Sequence, residues 1–200
     1  MAAPSTLLDL AGASRAPSAW EAATLVLIDH QREYVDGKLP LTGMPAAIAA
    51  CGELLALARR HGSPVVHVVH HGRAGGGAFD PEGPYAAIVA GLEPQAGEHT
   101  VVKGLPNSFA GTTLAGLLEE LGRKELIVAG FQTYMCVSAT VRSALDHGYR
   151  STVVASACAT RDLPDPLGGA PLAAAEVHRG SLAALHDRFA TVVASAAAWR

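Results

Sequence analysis

Three reactive side chains stand where short apolar runs end. They are the carboxyl of Asp29 after TLVLI, the ammonium of Lys103 after TVV, and the thiol of Cys136, six residues beyond ELIVAG in the stretch GFQTYMCV. A nucleophile needs a base within hydrogen-bond reach, and the base needs a partner that holds and tunes it. A thiol, a carboxylate and an ammonium supply those roles between them. If a helix starts after Thr133, that threonine caps it and Cys136 falls at the third helical position, whose N–H the threonine oxygen accepts. There the helix dipole and free N–H groups favour an anion, which predicts a thiol pKa below the free value of about 8.5.

Each group also has a plainer reading. Cysteine is among the most buried residue types and packs as a small hydrophobe. That description suits Cys51, on the apolar face of its helix, and Cys158, at the end of an apolar strand. Asp29 can cap a turn, and most lysines are solvated. Convergence of the three separates the two readings, so the elements that carry them come next.

TLVLIDHQ is a short apolar run of the kind that marks a strand covered on both faces, with Asp29 at its end. Residues 46–61 read as a helix, with Ile48, Cys51, Leu54, Leu55 and Ala58 at helical spacing and Gly62 closing it. SPVVHVVH is a second strand. The segment 71–104 is rich in Gly and Pro, with a short helix expected near 85–90 and a short strand at 100–103. Its Gly75 to Gly77 run lacks the spacing of a dinucleotide or phosphate loop and reads as a mobile loop bordering a pocket. Beyond it helices over 112–121, 134–147 and 171–188 alternate with the strands ELIVAG, STVVASAC and TVVAS. The pattern predicts a three-layer α/β/α fold on a mainly parallel six-stranded sheet, in one domain over 1–200 with residues 1–20 as an N-terminal extension. In such sheets ligands sit beyond the carboxyl ends of the strands, where strand order reverses. Asp29, His70, Lys103, the 130–136 stretch and Cys158 to Asp162 all fall there.

Composition narrows the partners. Half of the 200 residues are hydrophobic, enough for one substantial core, and the net charge of -3 is spread along the chain. No electrostatic footprint for nucleic acid or an anionic membrane is present, and no apolar run approaches the roughly 18 residues of a membrane span. A small-molecule substrate is the expected partner. Three widely separated cysteines fit neither a disulfide framework nor a zinc site, and a reducing cytoplasm is the expected location.

LIDHQREY, VVKGLPNSF followed by AGTTLAGLLEELG, and ELIVAGFQTYMCVSATVRSALDHGY together resemble the isochorismatase-like cysteine hydrolases, the superfamily of nicotinamidase and N-carbamoylsarcosine amidase. The three motifs occur in the family's order and register, and the likeness runs from about residue 24 to about residue 195. The resemblance implies an Asp-Lys-Cys triad at Asp29, Lys103 and Cys136, a cis peptide bond at Phe131-Gln132, and an oxyanion hole formed by the backbone N–H groups of Gln132 and Cys136. It places Gln31, Tyr34, Phe109 and Tyr134 near the substrate. It also implies a homo-oligomer, dimer or tetramer, for which the apolar LLDLAG patch is a candidate contact; core packing explains that patch equally well.

The departures are informative. Nicotinamidases bind a metal through an Asp-x-His motif and a further His, and VVHVVHHGRAGGG has no Asp at that spacing. No metal and no cofactor are therefore expected, although His70 and His71 remain as a pair able to face metal or substrate; His67 reads as a core or face residue. Arg161 and Asp162 either orient a carboxylate-bearing substrate or pair with each other, and His178 reads as a helix-face residue. The expected activity is hydrolysis of the C–N bond of a small amide, ureido or lactam compound through a Cys136 thioester. Two alternatives stay open: vinyl ether hydrolysis with Asp29 doing the acid chemistry and no covalent intermediate, and a non-catalytic binding or redox protein using the thiol.

Overall fold

A computed structural model describes residues 4–200. The strands β1 (Ala23–Ile28), β2 (Val65–His70), β3 (His99–Lys103), β4 (Glu125–Phe131), β5 (Arg150–Ala159) and β6 (Thr191–Val193) form one sheet in the order β3-β2-β1-β4-β5-β6. Every neighbouring pair is parallel. The continuous apolar runs are the central strands: all six residues of β1 are buried, whereas the edge strand β3 alternates.

Helix α2 (Met44–His61) covers one face, packing Leu54, Leu55 and Ala58 against Leu25, Leu27 and Ile127. Gly62 ends it in a left-handed conformation, its N–H donating to the Ala58 and Arg59 carbonyls, as the sequence predicts. Helices α3 (Leu114–Leu121), α4 (Ser138–Asp146) and α5 (Ala174–Arg188) cover the other face, with Leu114, Leu118, Val141 and Leu185 against Val26, Ile28 and Val128. The α/β/α layering and the six strands agree with the expectation.

Differences lie at the element ends. The helix expected over 134–147 is split into a π-helical turn, Thr133–Val137, and α4. The short helix expected near 85–90 is a 3-10 turn at Pro84–Ala86. The four-residue helix α1 (Leu7–Leu10) buries none of its residues, and Leu7 and Leu10 stand exposed, so the LLDLAG patch is not part of the core. Among the described residues no helix is long and apolar enough to cross a membrane.

The chain runs outward from β1 to β3, returns to β4 beside β1, and continues to β6. Strand order therefore reverses between β1 and β4, and the crevice beyond their carboxyl ends is where a doubly wound sheet offers a site.

Candidate functional site

Asp29 follows the last residue of β1, and its N–H donates to the Val68 carbonyl at 2.8 Å. Its φ of 53° lies in the left-handed region, which a non-glycine residue occupies at a cost of order 1–3 kcal/mol and which recurs at functional sites. Across the ladder Ile28 faces Gly130. A Cβ at Gly130 would lie 2.0 Å from the Ile28 carbonyl oxygen, so only glycine lets β4 approach β1 this closely.

Lys103 ends β3, two strands away from β1. Its side chain reaches past the end of β2 to bring Nζ within 2.8 Å of Asp29 Oδ2, with both side chains fully buried. The same Nζ donates to Cys136 Sγ at 3.3 Å, and His70 Nδ1, at the end of β2, lies 3.3 Å from it. Burial and the neighbouring ammonium hold His70 down to about 4, so its ring is neutral and Nδ1 offers a lone pair. Burial raises the Asp29 carboxyl above its ordinary range, against the pull of Lys103 and the Cys136 thiol. Four strand ends thus place the expected carboxylate, ammonium and thiol in one cluster.

The thiol is held differently from the sequence expectation. Thr133–Val137 winds as a π turn around the Gln132 carbonyl, which accepts from the Met135 N–H at 3.1 Å and the Val137 N–H at 3.2 Å. The bond between Phe131 and Gln132 is cis, as the resemblance implies. Thr133 does not cap a helix: its hydroxyl donates to the Ala159 carbonyl at 3.1 Å and lies 2.8 Å from His178 Nδ1. His178, read from sequence as a helix-face residue, is therefore tied to the turn. Cys136 is only 3% exposed, and burial together with the Asp29 charge pushes its thiol up to about 12, against the ammonium of Lys103. The expected depression at a helix N-terminus is reversed. A buried π turn next to a carboxylate is not a solvated first helical turn.

Above the thiol lies a cavity of about 140 Å³ bordered by Tyr34, His70, Phe79, Gln132, Cys136 and Arg161. Tyr34, expected near the substrate, and Gln132, expected as a backbone donor, both line this cavity; Tyr34 packs edge-on against Phe79 and Phe131. Gln31 does not line the cavity, because its amide is consumed by the backbone. Nε2 donates to the His70 and Ala86 carbonyls at 3.0 and 2.7 Å, and Oε1 accepts from the His70 N–H at 2.8 Å. Phe109 lies in the helix layer under α3 and α4, its ring stacked on His147 at 4.5 Å between centroids. Tyr134 is half-buried within the thiol's turn and is not on the cavity wall.

Sequence reasoning missed Phe79 as a wall residue. The Gly-rich loop folds back so that the Phe79 N–H donates to Glu33 Oε2 at 2.9 Å, and Lys38 Nζ donates to the Gly77 carbonyl at 2.8 Å. Glu33, in the LIDHQREY motif, is itself buried, and the sequence carries no signal of that burial. Arg161 and Asp162 do not pair. The Asp162 carboxylate accepts from the Ala174 N–H at the start of α5, and the Arg161 guanidinium makes only a 3.4 Å contact with the Asp162 carbonyl. His71 donates its backbone N–H to the Lys103 carbonyl, and His67 is buried within β2 with its ring between His30 and Glu98. Among the described residues no three His, Cys, Asp or Glu side chains gather as a metal-ligand group.

The same architecture occurs in known proteins. A crystallised isochorismatase from Pseudomonas putida KT2440 is 44% identical, superposes with a TM-score of 0.92, and is matched over 98% of this chain and 99% of its own. The secreted isochorismatase effector of Verticillium dahliae is 34% identical over 96% of this chain and 97% of its own length. Maleamate amidohydrolase of Pseudomonas putida is 34% identical over 65% of this chain and 68% of its own length. The isochorismatase domain pattern itself matches residues 23–197, covering every strand of the sheet and the whole cluster around Lys103. The chain belongs to the isochorismatase family of hydrolases.

Proposed function

We propose that the protein is a cysteine hydrolase that cleaves the C–N bond of a small amide, ureido or lactam compound, with Cys136 as nucleophile, Asp29 as acid and base, and Lys103 as the charge that holds them together. The observation that supports this most is the single buried Lys103 ammonium within 2.8 Å of Asp29 Oδ2 and 3.3 Å of the Sγ of Cys136, a residue of the cavity wall. A cation so placed favours negative charge on either neighbour, so a proton moves from thiol to carboxylate without a change in the cluster's net charge.

The resting thiol is protonated, since burial and Asp29 push it up to about 12. With substrate in the cavity, Asp29 takes the thiol proton and the Sγ electron pair forms a bond to the carbonyl carbon. The carbonyl oxygen becomes an oxyanion received by the backbone N–H groups of Gln132 and Cys136, donors of a kind worth about 3 kcal/mol each in the transition state. Collapse of this intermediate breaks the C–N bond, and Asp29 returns the proton to the leaving nitrogen. Water then gives a proton to Asp29 and its oxygen to the thioester carbonyl, the C–S bond breaks, and Asp29 passes that proton back to sulfur.

Arg161 narrows the substrate class. Its guanidinium borders the cavity with no carboxylate partner among the described residues, so an acid group on the substrate completes it. An amidohydrolase of maleamate, the monoamide of a short diacid, is among the relatives, which agrees with such a substrate. Ammonia release from maleamate, succinamate and their neutral diamides tests the proposal. Acid-bearing amides should turn over, and Cys136→Ala should lose the activity. Unchanged release by Cys136→Ala would remove the thiol from the mechanism and move the chemistry to Asp29.

A further inference from the structure

The hydroxyl of Thr133 has one proton and two partners. The Ala159 carbonyl at 3.1 Å only accepts, so the hydroxyl donates to it. The bond to His178 Nδ1 at 2.8 Å must then run the other way, with the imidazole N–H donating to the threonine oxygen. The directed chain His178 Nδ1–H to Thr133 Oγ1–H to Ala159 carbonyl joins α5, the opening of the π turn and the end of β5. Thr133 is wholly buried, and Ala159 pairs in the ladder with Phe131, two residues before it. All three groups converge at the start of the five-residue turn TYMCV that carries Cys136.

We propose that His178 is a positioning residue for this turn: as a fixed donor it sets the rotamer of Thr133, and through Thr133 the direction in which the Cys136 thiol and its backbone N–H point. The proposal rests on the reading of Cys136 as the nucleophile, but the geometry of the turn is measurable without it. Asparagine keeps an N–H donor near the position of Nδ1, phenylalanine keeps the ring and loses the donor, and valine at 133 removes the hydroxyl at constant shape. Both neutral and protonated imidazole donate from Nδ1, so the role is to hold and not to exchange a proton.

The experiment is the rate of carboxamidomethylation of Cys136 by iodoacetamide from pH 6 to 10, read by peptide mass spectrometry, with maleamate hydrolysis in parallel. The proteins are wild type, His178→Phe, His178→Asn, Thr133→Val and the His178→Phe/Thr133→Val double variant, with Cys136→Ala added to the hydrolysis assay. Melting temperatures accompany each. His178→Phe should change the alkylation rate about tenfold and lower kcat with little change in KM. Thr133→Val should match it, the double variant should be no worse than either, and His178→Asn should recover to within about twofold of wild type. Wild-type alkylation and kcat in His178→Phe, with only a lower melting temperature, would overturn the proposal and leave His178 a packing residue. Activity surviving in Cys136→Ala would instead sink the nucleophile assignment, while the alkylation series would still report whether His178 sets the turn.

Discussion

Lys103 Nζ stands 2.8 Å from Asp29 Oδ2, and neither side chain is open to solvent. Both charges have left water, a loss that ion pairing in a protein interior only partly offsets. Such a pair adds little net stability, and its contact with the thiol of Cys136, a cavity-wall residue, fits a role in chemistry. Removing one partner strands the other. Lys103→Met should therefore lower unfolding free energy by about 3–5 kcal/mol in urea titrations, and Lys103→Met/Asp29→Leu should recover much of that loss.

The thiol gives a prediction of opposite sign to the one drawn from its sequence position. Cys136 is pushed up to about 12, first by burial and then by the Asp29 charge. The free enzyme should show no thiolate step near neutral pH when absorbance at 240 nm is followed in wild type against Cys136→Ala. Asp29→Asn removes the charge that raises the thiol, so its thiolate should appear at lower pH than in wild type even as hydrolysis is lost.

Gln31 should behave as a structural residue. Its amide makes three hydrogen bonds to backbone groups at His70 and Ala86. Leaving buried groups unpaired costs about 1–3 kcal/mol. Gln31→Ala should lose stability in that range and speed hydrogen exchange at His70, whereas Arg161→Ala should raise KM for acidic amides at least tenfold with little change in stability.

A second, partly buried network gives a pH dependence of stability. His30 Nε2 lies 3.0 Å from His67 Nδ1, His67 Nε2 lies 2.9 Å from Glu98 Oε2, and Arg59 Nε donates to Glu98 Oε1 at 2.7 Å. Burial pushes the Glu98 carboxyl up, but Arg59, the Gln95 N–H and His67 outweigh it and hold the group down to about 2, below its ordinary 4.5. A depressed carboxyl contributes stability that is present above the unfolded value and lost as pH falls through the folded one. Glu98→Gln should cost about 2 kcal/mol at pH 7 and progressively less from about pH 4.5 down to 2, as seen by denaturant titration across that window.

The sheet was legible because its strands are short, mostly apolar runs, and the reactive residues stood out because each follows such a run, Asp29 and Lys103 at its end and Cys136 six residues beyond. The rest depended on information that spacing does not carry. A π turn and an α-helix share the same residues, so TYMCV read as the first turn of a helix with Thr133 as its cap. Gln31 and Phe109 lie in motifs that resemble pocket walls, yet backbone groups consume one and the helix layer buries the other. Phe79 reaches the cavity only because a buried Glu33 draws in a loop whose own sequence is mostly glycine.

The most direct test of the central claim is intact-mass spectrometry of the wild-type protein quenched in acid during turnover of maleamate, with Cys136→Ala as the control. The account predicts an acyl adduct on the wild type, mapped to the peptide containing Cys136, that decays as product forms and is absent from the variant. Steady turnover by Cys136→Ala, with no adduct on either protein, would contradict it.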